Sequence, residues 1–144
     1  MDCATELEIV GHLTKCDAHY RPKLSERVDL PEYGKKLFLR SQRFEIWDGP
    51  ALAGLAAVYF GDVENRCGYI SNISVLPEYT GRGIGLQLMR SVEQFAADKG
   101  FEELRLETGN DNVAALRLYE KCCFMVLEET SRMVHLRKRL VEHD

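Results

Sequence analysis

A short glycine-rich segment in the middle of the chain is the strongest candidate for chemistry. It comprises Gly81, Arg82, Gly83, Ile84 and Gly85. A β-type run ends just before it at Pro77, and a helical pattern begins within it. The first amides of a helix have no partner inside the helix, and the helix dipole adds partial positive charge there. The segment therefore predicts a phosphate or pyrophosphate site, and a simple packing turn is the alternative that the residues leave open.

Two familiar nucleotide-binding loops use the same physics, and the sequence fits neither. A Walker loop ends in Gly-Lys-Ser/Thr, whereas this chain continues Gly85-Leu86-Gln87. A dinucleotide-binding turn belongs to an early βαβ unit with an acidic residue about 20 positions further on. Here the turn lies in mid-chain, and too little chain follows for a doubly wound sheet.

The elements around this turn predict a mixed α+β fold in a single domain over residues 1–144, with a mostly antiparallel sheet flanked by helices. Strands are expected at 43–47, 52–60, 67–75, 103–108, 124–128 and 133–136, and helices at 5–18, 32–39, 84–98 and from 113 onward. A helix joins the third and fourth strands, which indicates that these two run parallel. In the third strand, strict alternation places Asn72 and Ser74 on one face and Ile73 and Val75 on the other.

Composition and charge exclude several classes of protein. The chain has 144 residues, a formal charge of −4 and a pI near 5.6, which predicts no general attraction to nucleic acid or to an acidic membrane. No apolar run reaches about 20 residues, and the N-terminus lacks a secretory signal pattern. Five cysteines form no even framework, which favours reduced thiols in a cytoplasmic protein.

Two motifs carry a family resemblance. The pattern V-x-P-x-x-x-G-x-G-I-G spans residues 75–85, and N-x-x-A-x-x-L-Y-E-K spans residues 112–121. Together they resemble the GNAT superfamily of acyl-CoA-dependent N-acyltransferases, over roughly residues 51–126. The resemblance implies the GNAT fold, with strands that splay at the coenzyme site. It also implies acetyl-CoA as acyl donor, an amine as acceptor and no metal.

The resemblance assigns roles to individual residues. The glycine turn would hold the coenzyme A pyrophosphate, and Asn112 would hydrogen-bond the pantetheine or a bridging water. Val75 and Leu76 would act through their backbones, pairing with pantetheine like an added strand and polarising the thioester carbonyl. Tyr119 would protonate the departing thiolate, although a core tyrosine on an apolar helix face is the structural alternative.

The proton acceptor is less well defined by the sequence. Glu107 lies five residues before Asn112, a position that GNATs acting on protein N-termini use as the base. It is equally an ordinary strand carboxylate paired with a surface lysine. Asn72 and Ser74 face a possible acceptor site, where neither is a good base but either would position one or a water.

Two positions depart from the family pattern. Thr80 stands where the family usually has Arg or Gln, which removes one cation near the pyrophosphate. Cys123 stands where the family usually has Gly, which predicts that the preceding helix ends without a left-handed glycine.

The N-terminal region offers a possible metal site and a possible acceptor wall. In the helix at 5–18, Leu7, Val10 and Leu13 share one side, and His12, Cys16 and His19 share a face with zinc-ligand chemistry. A fourth ligand is missing, so we favour an exposed polar face. By the resemblance, part of the following segment would meet the acceptor, although a solvated charged loop is favoured; these residues are Tyr20, Arg21, Lys23 and Arg27.

Several functional questions stay open at this level. The segment 22–36 resembles GNAT members found among bacterial surface-polysaccharide genes, which favours an amino-sugar or another small-molecule amine as acceptor. Protein N-terminal or lysine amines are the alternative. A non-catalytic acyl-CoA sensor and a nucleotide-phosphate binder are further readings, and the chain is expected to be a monomer or a homodimer.

Overall fold

A computed structural model of the chain describes residues 3–20 and 23–140, and it has the expected α+β architecture. The helices are α1 (Glu6–Cys16), α2 (Leu30–Arg40), α3 (Ile84–Asp98) and α4 (Val113–Lys121). The strands are β1 (Gln42–Asp48), β2 (Ala51–Asp62), β3 (Cys67–Val75), β4 (Glu103–Gly109), β5 (Met125–Glu129) and β6 (Met133–Arg139). Among the described residues, no helix is long and apolar enough to cross a membrane.

The six strands form one sheet in the order β1-β2-β3-β4-β6-β5. Every neighbouring pair is antiparallel except β3 and β4, which are parallel because α3 connects them. These two strands pair only where Cys67–Tyr69 lies beside Glu103–Arg105. Beyond that point β3 and β4 diverge, so the sheet has the splayed gap that the family resemblance implied.

A bulge in β3 changes which side chains face each side of the sheet. Ala57 pairs with Asn72 and Val58 pairs with Ile70, so Ser71 is an extra residue that has no pairing partner on β2. Ile70 and Ile73 consequently pack into the same core, although strict alternation placed them on opposite faces. The predicted alternation is therefore wrong across Ser71 and holds from Asn72 to Val75.

The helices cover the sheet on both faces, and each face has its own core. One core joins α3 and α4 to the sheet; its buried members include Leu88, Met89, Val92, Leu104 and Tyr119. The other joins α1 and α2 to the sheet; its buried members include Ile9, Leu13, Leu37, Leu55 and Ala57. β2 lies between them and is buried on both faces, as its almost wholly apolar sequence predicts.

The buried face of α1 differs from the predicted one. Thr5 caps the helix through a capping box with Glu8, which explains where it begins. Its buried residues are Ile9, His12, Leu13 and Cys16, whereas Leu7 is 84% exposed. The exposed polar face expected for His12 and Cys16 is therefore wrong, because both side chains point into the protein.

α4 ends without a left-handed glycine, as the sequence predicts, but a cysteine adopts the left-handed conformation in its place. Cys123 has φ +69°, the left-handed conformation that a glycine normally supplies. Its N–H donates to the Glu120 carbonyl at 3.0 Å, and the Phe124 N–H donates to the Tyr119 carbonyl at 2.9 Å. These two hydrogen bonds form a Schellman motif. Cys123 therefore occupies the left-handed position at the end of α4, although its side chain disfavours that conformation.

Candidate active site

The glycine turn presents a row of free backbone amides. Gly81 and Gly83 have φ of +81° and +77°, and a Cβ added to either would meet open space. Gly83 is the residue at which α3 begins, and the first bonded amide is that of Gln87, which donates to the Gly83 carbonyl at 3.0 Å. Within the described residues, no acceptor reaches the amides of residues 81–86. These donors at a helix N-terminus suit an anionic group.

Side chains around the turn hold its shape and its charge. The Thr80 hydroxyl donates to the Pro77 carbonyl at 2.9 Å, so Thr80 stabilises the turn itself. The Arg82 guanidinium lies over the Tyr79 ring, 4.9 Å from its centroid. The Tyr79 hydroxyl donates in turn to Asp48 at 2.5 Å. Arg82 therefore stacks on Tyr79 and carries a positive charge in the same turn as the free amides.

The gap between β3 and β4 contains a cavity of about 250 Å³. Thr80 and Gly85 line one part of it, and Asn112 and Tyr119 line the wall that α4 provides. The opposite wall comes from the N-terminal region and the strands; it includes Cys16, Tyr20, Arg27, Asn72, Ser74, Val75 and Glu107. The predicted phosphate turn and the predicted catalytic residues therefore meet at one cavity.

The backbone edge of β3 is partly available to a ligand. The Leu76 N–H donates to the Ala53 carbonyl at 2.8 Å, so this amide belongs to the β2 side of the strand. Hydrogen-bonding direction alternates along a strand, which turns the Val75 N–H towards the gap where β4 has diverged. The sequence assigned a backbone hydrogen bond with the ligand to Val75 and Leu76 together. The geometry leaves the Val75 N–H in a position to donate to a ligand, whereas the Leu76 N–H already donates to Ala53.

Tyr119 lies on α4 and is 5% exposed. Burial raises the pKa of its phenol above the ordinary value of 10. Its hydroxyl has no hydrogen-bond partner among residues 3–20 and 23–140. Asn112 begins α4 by accepting from the Ala115 N–H at 3.3 Å, the helix-start role, while also lining the cavity. Tyr119 is thus a core residue that also presents a protonated hydroxyl to the cavity.

Glu107 lies on β4 at the end of the cavity opposite the glycine turn's helix. Its two carboxylate oxygens are both occupied, by the Arg27 guanidinium at 2.9 Å and by His135 Nε2 at 3.3 Å. The partner is therefore Arg27, from the N-terminal region, and not the surface lysine that the sequence suggests. As a proton acceptor, Glu107 would first have to release one of these partners.

The acceptor-wall residues separate into two groups. Tyr20 and Arg27 line the cavity, so the solvated loop favoured from the sequence is wrong for Tyr20 and only partly right for the half-exposed Arg27. Lys23 is exposed and lies outside the cavity lining. Arg21 lies outside the described residues.

Sequence reasoning missed a buried polar network on the same wall. The His12 ring contacts the Leu52 carbonyl and the Ser74 hydroxyl, each at 2.8 Å. Ser74 bonds Asn72 at 2.9 Å, and Asn72 bonds the Tyr20 hydroxyl at 2.7 Å. The shared helix face of His12 and Cys16 is the sequence signal for this network. That signal indicated either a zinc site or a solvent-exposed polar face, and neither is a buried network. In the described parts of the chain, no group of three or more His, Cys, Asp and Glu residues is arranged to hold a metal.

Known proteins resemble this chain in sequence and in fold. The family described as Acetyltransferase (GNAT) matches residues 10–124. The thialysine N-epsilon-acetyltransferase of Bos taurus is 31% identical over 134 residues, covering 83% of this chain and 76% of the relative. The aminoglycoside N(6')-acetyltransferase type 1 of Salmonella typhimurium is 30% identical over 97 residues, covering 64% of this chain and 65% of the relative.

A solved structure shares the fold at low sequence identity. The PaiA N-acetyltransferase from Thermoplasma acidophilum, crystallised in complex with coenzyme A, superposes with a TM-score of 0.73. The match covers 94% of this chain and 95% of that one at 14% identity. The family match, the fold and the two motifs agree, and the chain therefore belongs to the GNAT family of acetyltransferases and is an N-acyltransferase.

Proposed function

We propose that this protein transfers an acetyl group from acetyl-CoA directly to the primary amine of a small molecule. The observation that carries the proposal is a single cavity whose walls combine the glycine turn, the gap between β3 and β4, and the Tyr119 hydroxyl. An acyl-CoA needs these three features, because its pyrophosphate, its extended pantetheine arm and its sulfur lie in sequence along one molecule.

The residues that would hold the acyl donor follow from their free hydrogen-bonding groups. The amides of residues 81–86 and the Arg82 guanidinium suit the pyrophosphate. The Val75 backbone suits the pantetheine arm or the thioester carbonyl, in the place that a paired β4 would otherwise take. Asn112 lines the same wall, with its amide nitrogen free while its oxygen caps α4.

The chemistry requires two proton movements. The amine nitrogen forms a bond to the acyl carbon and loses a proton, while the C–S bond breaks and its electron pair stays on sulfur. Tyr119 would give its proton to that thiolate. Because burial raises the pKa of Tyr119, the phenol still carries its proton when the thiolate forms, and the same burial disfavours a charged thiolate and so favours its protonation.

A direct transfer is favoured over an acyl-enzyme intermediate. Cys16 is the one cysteine among the described residues that lines the cavity. Burial raises the pKa of its thiol to about 12, so it stays protonated and is a poor nucleophile. The amine itself is therefore the group that attacks the thioester.

The acceptor end of the cavity favours a small polar amine. Arg27 and Glu107 place a cation and an anion there, 2.9 Å apart, beside the Tyr20 hydroxyl. Such a pair suits an acceptor that carries both an amino group and a polar or anionic group. Two relatives are named for acceptors of this kind, thialysine and an aminoglycoside. An amino-sugar fits the same description.

Free thiol released from acetyl-CoA tests the proposal. The protein would be mixed with acetyl-CoA and separate amines, namely thialysine, an aminoglycoside, a hexosamine and a peptide with a free N-terminus. We expect amine-dependent thiol release with one of the small amines. Release with the peptide alone would assign the protein to protein acetylation, and binding of coenzyme A without release would make it a sensor. Tighter binding of ATP or NAD than of coenzyme A would show that the proposed acyl-donor site is a nucleotide site of another kind.

A further inference from the structure

The buried network beside the cavity has a determinable direction of hydrogen bonding. His12 is 3% exposed, and its Nδ1 lies 2.8 Å from the Leu52 carbonyl oxygen. A carbonyl oxygen only accepts hydrogen bonds, so Nδ1 carries a proton. In a neutral imidazole the other nitrogen, Nε2, then has a lone pair, and it faces the Ser74 hydroxyl at 2.8 Å. A neutral His12 is therefore oriented as a base towards Ser74.

Ser74 has only one proton, so the charge of His12 decides where that proton points. If Ser74 donates to Nε2, the Asn72 amide must turn its NH₂ group towards Ser74 and its oxygen towards the Tyr20 hydroxyl. If Ser74 donates to Asn72 Oδ1, as the 2.9 Å contact is drawn, Nε2 must carry a proton and His12 is a cation. The amide of Asn72 satisfies both states, because turning it by 180° exchanges its donor and its acceptor.

We propose that Ser74 and His12 together take the proton of the attacking amine, an inference that rests on the proposed acetyl transfer. As the new C–N bond forms, the amine proton moves to Ser74 Oγ and the original Ser74 proton moves to His12 Nε2. Ser74 stays neutral and His12 becomes a cation that donates to Ser74 and to the Leu52 carbonyl. The proton then leaves His12 to solvent, and Tyr119 takes up a proton from solvent to replace the one that departs with the coenzyme A thiol. Ser74 touches the substrate, and His12 acts through it.

Position supports Ser74 over the other candidates for this step. Ser74 lines the cavity and is adjacent to Val75, whose backbone faces the same gap. Glu107 is already bonded to Arg27 and to His135 Nε2, whereas no ion pair engages His12 within the described residues. The Cys16 thiol lies farther from His12 Nε2, at 3.7 Å, and it donates to the Val75 carbonyl at 3.5 Å.

The surroundings of His12 keep it neutral and ready to accept a proton. Burial is the main cause that lowers its pKa from the ordinary value of 6.5, and the positive charge of Lys15 on the same helix lowers it further. The sheet faces it with the Leu52 carbonyl and the Ser74 hydroxyl, and α1 adds the neutral Cys16 thiol. Tyr20 lies one residue further from His12, because it interacts with Asn72 and with Ser74. The neutral form of His12 therefore persists below pH 6.5.

The pH dependence of kcat/KM tests the relay. In the unaltered protein, activity should fall as the pH drops through the lowered pKa of His12, because a protonated Nε2 accepts nothing. His12→Gln still accepts the Ser74 hydrogen bond but takes up no proton. We expect it to lower kcat about 100-fold and to remove that acid limb, with the Kd for coenzyme A unchanged. Ser74→Ala should produce the same loss, and Ser74→Thr should restore activity.

Glu107→Gln is the matched competitor variant. If the acid limb survives in His12→Gln and disappears in Glu107→Gln, Glu107 is the base and the relay is overturned. Thermal unfolding and coenzyme A binding of each variant show whether it has folded. Failure of the unaltered protein to acetylate any amine would reject the proposed function, which is a different result from activity that ignores His12.

Nitrogen NMR of the histidine rings provides a test that needs no activity. In the protein labelled with ¹⁵N at histidine, the His12 ring at neutral pH should show a protonated Nδ1 and an unprotonated Nε2. This is the less common tautomer of histidine in water, so its presence would be specific to the Leu52 contact. A proton on Nε2 at neutral pH would overturn the relay whatever the kinetics show.

Discussion

Gly85 at the start of α3 touches Leu118 on α4, the residue next to Tyr119. A Cβ on Gly85 would lie 3.1 Å from Leu118 Cδ2, closer than side chains normally approach. The phosphate turn and the helix of the candidate acid therefore approach each other closely at this position, where a methyl group fits only if Leu118 shifts. Gly85 differs in this from Gly81 and Gly83, which need their left-handed backbone rather than space.

Gly85→Ala should displace α4 from α3 by a few tenths of an ångström. We expect this to cost about 1–3 kcal/mol of stability, as overpacking in a core does, and to lower kcat more than coenzyme A affinity. Urea unfolding and steady-state kinetics measure the two effects. The double variant Gly85→Ala with Leu118→Ala provides the control, because removing the Leu118 methyl groups relieves the clash. If the two substitutions simply add, the contact is not the cause.

Gly83→Asp should abolish coenzyme A binding. A carboxylate at this position would lie among the free amides of residues 81–86 and repel a pyrophosphate. Gly83→Asn is the matched control, because Asn has the same shape without the charge and tolerates the left-handed φ of +77°. Calorimetric titration with coenzyme A should show weaker binding for the Asn variant and none for the Asp variant. Equal binding by both would place the anion elsewhere.

Local patterns in the sequence predicted the elements, and distant contacts decided the rest. The strand and helix ranges follow from hydrophobic periodicity and caps such as Thr5, which involve neighbours only. The polar ring of His12 indicated a solvent-facing side of α1. Its partners Leu52 and Ser74 lie 40 and 62 residues away, so no local pattern could place that ring inside the protein.

In the candidate site, too, the residues in local motifs could be predicted and the distant contacts could not. The glycine turn and Tyr119 could be found because each belongs to a short motif whose spacing reflects one helix and the turn before it. The Arg27–Glu107 ion pair joins residues 80 positions apart, and the bulge at Ser71 depends on pairing with β2. Glu107 could therefore be named as a candidate base from its position, but its two partners, Arg27 and His135, could not.

Cys123→Gly should stabilise the protein. A residue other than glycine in the left-handed region costs about 1–2 kcal/mol, and Cys123 is held at φ +69° by the two hydrogen bonds that end α4. Its side chain is exposed, so removing it loses little packing. We expect a gain of about 1 kcal/mol in urea unfolding. Cys123→Ala keeps the Cβ and should give no such gain; an equal gain in both variants would locate the cost in the thiol.

Tyr119→Phe should lower turnover at least tenfold while leaving coenzyme A affinity almost unchanged. The substitution removes only the hydroxyl, and the ring keeps its contact with Phe124, whose centroid lies 5.9 Å away. Because the hydroxyl has no partner in the described parts of the chain, its removal leaves no buried group unsatisfied and stability should hold.

The control for Tyr119 is the same chemical change at a tyrosine outside the cavity. Tyr59 packs against the core of α1 and α2 and does not line the cavity, so Tyr59→Phe should keep full turnover. Single-turnover measurement of thiol release separates the chemical step from product release in both variants. Since the proposed role is to protonate a leaving thiolate, the defect of Tyr119→Phe should shrink with an acyl donor whose thiol is more acidic. A defect of equal size with both donors, or unchanged turnover, would remove Tyr119 from the mechanism.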